Sequence, residues 1–206
     1  MKKLETYLSS YTSPDIITAT RNGEFYDLRQ QILEWCGQDD FTFFFIDPKG
    51  WKKVIEIPTL EPLLKRPNSE FLINFMYDFV LRTHTQEFFQ EDMREIFGEV
   101  PDTTAMAPKE KETFLINLYR SRLKQIAPPL GGNPRTAHVP ILYPLRDRTL
   151  YHLVYLTRNA RGIEVFMAAS EKLEIVQRKT REQAKVNSIL DFPVILKAWK
   201  SLTDQR

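Results

Sequence analysis

The chain has 206 residues with a net charge of +2, ordinary apolar content and an unusual number of phenylalanines. That length accommodates one sizeable core, and the near-neutral charge gives no global pull towards nucleic acid or an acidic membrane surface. A single cysteine, Cys36, excludes an internal disulfide and points to a reducing, cytoplasmic setting.

The start, Met-Lys-Lys-Leu-Glu-Thr-Tyr-Leu, has no apolar stretch after its basic residues and does not read as a signal peptide. No run approaches the roughly 20 apolar residues of a membrane span, so no membrane partner is expected. Lys2 to Leu8 reads as the end of a helix, closed by Ser9, Ser10, Ser13 and Pro14. Ile16 to Arg21 is β-branched and is expected to be a strand, ended by Asn22-Gly23. Phe25, Leu28, Ile32 and Trp35 fall at helical spacing, which predicts a helix to Cys36 with Gly37 as its C-cap. Phe41 to Ile46 is continuously apolar and predicts a strand buried on both faces, as in a parallel sheet.

A helix is expected near Pro58 to Leu64, and a second buried strand over Phe71 to Phe75. Two helical stretches follow, Gln86 to Phe97 and Pro108 to Ile126, then a proline- and glycine-rich loop from Ala127 to Ala137. Val139 to Leu145 and Leu150 to Thr157, joined by Arg146-Asp147-Arg148, predict an antiparallel hairpin beside the Phe71 strand. A long helix after Gly162 and a short one over Phe192 to Leu202 close the chain. The expected fold is therefore a single α/β domain: a partial doubly wound, methyltransferase-like (Rossmann-type) sheet ending in an antiparallel hairpin, with a helical extension from about residue 160.

Ligands of open parallel sheets bind at the carboxyl ends of the strands, so residues just after each strand are the candidates. Asp47 and Pro48 are the catalytic candidates. A carboxylate and a carbonyl there can each accept a hydrogen bond from a substrate amine, with Trp51 stacking on a planar group. Asp-Pro is also ordinary turn chemistry. Asn22, Gly23 and Glu24 are cofactor-binding candidates, although Asn-Gly-Glu is equally a helix start. Asn74, polar within an apolar strand, must find a partner, either a ligand such as the substrate or a neighbouring group. Tyr77 and Asp78 follow it. His84, His138 and His152 lack metal-ligand spacing, no Gly-x-Gly-x-x-Gly is present, and Arg178, Lys179, Arg181 and Lys185 are diluted by Glu174 and Glu182.

Four segments carry a family resemblance. Phe43-Phe-Phe-Ile-Asp-Pro-Lys-Gly-Trp51 resembles the "FiDPfG" segment of the three-Cys-motif partner (TcmP) family. Glu70-Phe-Leu-Ile-Asn-Phe-Met-Tyr77 with Arg82 resembles its "EvLiNFm…R". Leu150 to Thr157 followed by Arg161-Gly162 resembles its "yYyLifaTkh..G", and Asn22-Gly23-Glu24-Phe25 its "nGdF". Together they span roughly Ile16 to Met167. The resemblance implies a methyltransferase-like domain using S-adenosylmethionine, and a radical-SAM-like three-cysteine protein as a partner by family context. Family members begin with a longer segment bearing two further strands and a "FaGpG"-like glycine loop, which this sequence lacks. Its Lys49 stands where the family has Phe, the aromatic coming later as Trp51.

Sheets of this type run 3-2-1-4-5-7-6, and the strands here are expected to be 3, 4, 5, 6 and 7. Two readings remain open. One is a methyltransferase whose cofactor binds only in a complete assembly, none being expected on this chain alone. The other is a non-catalytic interaction module or half of a split enzyme, with a second polypeptide or copy covering the edge of the Phe41 strand.

Overall fold

The computed structural model describes residues 6–8, 10, 13, 15–48, 50 and 53–203, with side chains as far as residue 186. Glu24 opens helix α1 (Phe25–Cys36), its carbonyl accepting the first amides from Asp27 and Leu28. Gly37 ends the helix at φ 66°, a left-handed angle that a side chain would resist. Strand β1 (Thr42–Ile46), helix α2 (Ile57–Leu64) and strand β2 (Ser69–Phe75) come next. Helix α3 (Tyr77–Thr83) and a 3₁₀ turn lead to α4 (Gln90–Phe97) and the long α5 (Pro108–Ile126). Pro108 suits the first turn of α5, where its missing N–H costs no bond, and Glu110 accepts the Ala107 amide at 3.0 Å. Strands β3 (Arg135–Leu142) and β4 (Thr149–Thr157) form the hairpin, and α6 (Ala160–Thr203) completes the described chain.

The four strands make one mixed sheet in the order β1-β2-β4-β3. β1 and β2 are parallel, and β4 runs antiparallel to both β2 and β3. The expected parallel neighbours and adjoining hairpin are therefore present, in an α/β fold. Strand alternation sends Phe44, Ile46, Phe71, Ile73, Phe75, Val154 and Leu156 to the inner face, where they form the core with α2, α4 and α5. Phe44 stacks on Phe71 at 4.9 Å, and Phe75 lies between Tyr119 (4.6 Å, stacked) and the edge of Phe97 (6.2 Å). Each such fully buried side chain contributes roughly 1.5–3 kcal/mol. Tyr119, fully buried, satisfies its hydroxyl on the Ile55 carbonyl at 3.0 Å.

On the outer face α6 covers β3 and β4, with Phe166 stacked on Tyr155 at 4.9 Å. Its seat is built around Glu70. That carboxylate accepts bonds from Tyr155 (2.6 Å) and Thr157 (2.7 Å). Gly162 passes so close that an added Cβ would meet the Tyr155 hydroxyl at 2.8 Å and the Glu70 and Thr157 oxygens at 3.0 Å. Only glycine fits there.

Four expectations are corrected. Ile16 to Arg21 is not a strand: it is irregular, and Ile17 is 83% exposed, because no strand among the described residues lies beside it to accept its backbone bonds. Phe41 to Ile46 is a strand but not buried on both faces, since β1 is the sheet edge and Phe43 and Phe45 are at least half exposed. α1 packs inward with Phe25, Ile32, Leu33 and Cys36, leaving Trp35 exposed. The two expected terminal helices are one continuous helix, α6. Of the expected N-terminal helix, residues 6–8 are helical and Lys2 to Glu5 lie outside the described residues.

Arg66 joins three of these pieces. Only 6% exposed, its guanidinium donates to the carbonyls of Cys36, Gly37, Asp40 and Pro67 at 2.7–3.0 Å. It thereby ties the end of α1 to the approach to β1. Arg66→Ala leaves these acceptors without their donor, and the expected loss is about 3 kcal/mol. Urea unfolding checks this: the midpoint falls sharply, and Arg66→Lys, which reaches fewer carbonyls, recovers only part of it.

Candidate functional site

The carboxyl ends of β1 and β2 gather the polar chemistry of the molecule, and β4 joins them because it runs the other way. Pairing of Ile46 with Ile73 and of Phe75 with His152 puts Asp47, Asn74 and the start of β4 at one end of the sheet. Asp47 follows β1 on the outer face beside Asn74, whose amide donates to its carboxylate at 2.7 Å. Asn74 is only 9% exposed, and its carbonyl oxygen has no partner among the described residues. Two residues singled out from the sequence are thus in direct contact. Asp47 itself stays exposed, with Pro48 half-buried beside it. An anchored carboxylate of this kind can accept a proton or a hydrogen bond from an amine or hydroxyl.

The other sequence candidates do not join this pair. Asn22, Gly23 and Glu24 lie exposed ahead of α1, and no hydrogen bond or ion pair links them to Asp47 or Asn74. Trp51 and Lys49 lie outside the described residues.

Next to the pair stands an ionic knot on α3 and the hairpin turn. Asp78, 7% exposed, accepts from the Tyr143 hydroxyl at 3.0 Å and pairs with Arg148 and, at 3.3 Å, with Arg82. Tyr77 is buried beneath it, and burial together with the nearby Glu112 pushes its phenol well above the ordinary range.

On the inner face a third group was not assembled by sequence reasoning. Glu112 of α5 accepts from Thr149 at 2.6 Å, and its Oε1 lies 3.1 Å from Nε2 of His152. The neighbouring His152 holds the Glu112 carboxyl below its usual value, against the opposing effect of burial. His152 is 2% exposed, and despite that short distance neither of its ring nitrogens has a well-directed hydrogen bond. His138 sits with its ring 5.1 Å away. Lys109, Thr113 and Asn117 complete the wall of a cavity of about 180 Å³ that these groups share. The signal was present in the strands, since His138 and His152 interrupt the inward-facing positions of two otherwise apolar runs.

A larger cavity, about 460 Å³, lies at the opposite end of the sheet between Phe41, Glu70, Thr157 and Arg158, remote from Asp47 in strand register. Glu56, Asp92 and Glu95 bring carboxylate oxygens within 4.8 Å of one another, and Glu56 already accepts the Lys53 amide at 2.7 Å.

Burial, and then the neighbouring His152 and Arg120, push His138 down to about 4 from its ordinary 6.5. Between those values the unfolded chain binds a proton that the folded chain refuses. Stability is therefore complete above pH 6.5 and is lost as pH falls towards 4. Urea midpoints should drop between pH 7.5 and pH 5, and His138→Gln should flatten that drop; an unchanged slope would place the acid sensitivity elsewhere.

Comparison of the chain with known protein families, with curated proteins and with solved structures finds no match.

Proposed function

We propose that this chain is the acceptor-side part of a methyltransferase-like domain of the TcmP kind, in which Asp47 and Pro48 orient the group to be methylated and S-adenosylmethionine is held only in a larger assembly. The observation that carries the reading is the sheet order. β1-β2-β4-β3, with β4 antiparallel between its neighbours, is the order expected of strands 4, 5, 7 and 6 in such a sheet, which supports the reading. The segments that resemble the family support it further, because they meet in space. Asp47 of the first touches Asn74 of the second, and Glu70 of the second touches Tyr155 and Thr157 of the third.

In such sheets the cofactor lies beside the point where strand order reverses, on the far side of the strand equivalent to β1. Here β1 is the edge, so the wall that would carry the cofactor comes from outside these four strands. A second polypeptide or a copy completes that edge, and a radical-SAM-like three-cysteine protein is the partner that the family context suggests. Asp47, oriented by Asn74, accepts the hydrogen bond of an amine and leaves its lone pair directed at the methyl donor, so that positioning supplies much of the rate. A non-catalytic interaction module is the second reading, and the uncovered edge of β1 is the observation that favours it.

Titration calorimetry on the 206-residue chain with S-adenosylmethionine should give no isotherm. A stoichiometric, micromolar isotherm would sink the half-site reading. In an assembly that does turn over, Asp47→Ala should lower kcat roughly tenfold or more with the unfolding midpoint unchanged. Full activity in that variant would return Asp47 to the role of a turn former.

A further inference from the structure

The two edges of the sheet are treated differently. On β3 several of the outward backbone groups are occupied by side chains. Gln177 of α6 accepts the Leu142 amide (2.6 Å) and donates to the Pro140 carbonyl (3.2 Å), and Arg120 donates to the Thr136 carbonyl (2.7 Å). Pro140 has no amide to offer. A strand added here would have to displace those side chains and would find no amide at Pro140.

β1 has no such protection. The Thr42 amide bonds to the Asn68 carbonyl on the β2 side (2.9 Å). Alternation therefore turns the amides and carbonyls of Phe43 and Phe45 to the open edge. No described residue bonds to them there. The strand carries no charge, no proline and no bulge, and its outer face exposes Phe41, Phe43 and Phe45 by 50–65%. Unpaired backbone beside a row of exposed aromatics is an arrangement that demands a partner strand.

We infer that the β1 edge pairs antiparallel with the β1 edge of a second copy of this chain, about a two-fold axis at Phe44. This rests on the reading above that β1 is completed from outside the chain, and it names what completes it. The strand is self-complementary in that register. Phe43 lies opposite Phe45 of the second copy, and both present their backbone groups outward, so they form hydrogen-bonded pairs on either side of the axis. Thr42 lies opposite Ile46, and all five residues of the strand are matched. Asp47 falls opposite Phe41 and Asp40 opposite Pro48, so acid never faces acid. Centring the axis on Phe43 instead would set Asp39 against Asp47, a like-charge pair. About that axis the contact is isologous, and with the β3 edge obstructed it stops at two copies, joining two four-stranded sheets into one.

Sedimentation velocity on the purified chain at about 50 μM should give twice the 24.3 kDa chain mass. Phe43→Lys/Phe45→Lys should weaken the dimer at least about tenfold with unchanged circular dichroism, because both side chains lie on the exposed face. Phe41→Lys should preserve or tighten it, since this residue faces Asp47 of the second copy. A monomer at that concentration, or an open-ended series of larger species, would overturn the inference. So would a dimer indifferent to the double substitution, or one weakened equally by Phe41→Lys, which would indicate unspecific adhesion. A monomer that still fails to bind S-adenosylmethionine leaves the proposed function standing with a different polypeptide at the edge. A dimer that binds it keeps the pairing and overturns the expectation that this chain by itself holds no cofactor.

Discussion

Glu70 holds together parts of the molecule that are far apart in sequence. It stands on β2, yet its two oxygens are taken by Tyr155 and Thr157 of β4, and the first turn of α6 passes over them at Gly162. Two charge-assisted hydrogen bonds in a partly buried setting contribute more than neutral ones do, and they are directional. They fix which residue of β4 lies beside which residue of β2. A slip of one position would turn every inward side chain of β4 out to the surface. The same contact seats α6 on the outer face, from which Gln177 and Arg181 reach the hairpin backbone. Glu70 thus reinforces both the register that the apolar pattern sets and the cover of the hairpin.

The candidate site is a consequence of that register. With Phe75 opposite His152, the beginning of β4 stands at the carboxyl end of β2, and Thr149 and His152 come within reach of Glu112. The hairpin turn then brings Tyr143 and Arg148 down onto Asp78. Burial works on these groups in opposite senses. It pushes the Tyr77 phenol up and the His138 imidazole down, so both are neutral at pH 7, while Glu112 stays ionised through its neighbours. The result is a polar layer that retains the Glu112 carboxylate on the inner face.

Much of this was legible in the chain. Gly37, Pro108 and the Arg146-Asp147-Arg148 turn mark boundaries that the structure keeps, because each acts through local backbone chemistry. Asp47 and Asn74 were legible as candidates because residues after parallel strands share one end of the sheet. What was hidden depends on neighbours. Ile16 to Arg21 has the composition of a strand, yet a strand exists only where another accepts its bonds. The phenylalanines of β1 suggested burial on both faces, but composition does not reveal whether the next strand is present. α3 escaped notice because its seven residues continue the apolar run of β2 without a helical period of their own. Glu112, His138 and His152 come from separate elements, and only tertiary pairing brings them together.

The separation that hides such contacts from sequence reading also orders events in time. The β3–β4 hairpin closes over a short turn, whereas Glu70 meets Tyr155 across 85 residues of chain. Closing a loop of that length costs more entropy than closing the hairpin, so the expected order is the hairpin and α5 first and the docking of β2 between β1 and β4 afterwards. Until it does, β4 has a bare edge of its own facing solvent, and the acidic clasp at Glu70 is the contact that arrives last. Kinetic traces would register its loss as faster unfolding at nearly constant folding rate, the signature of an interaction made on the native side of the barrier.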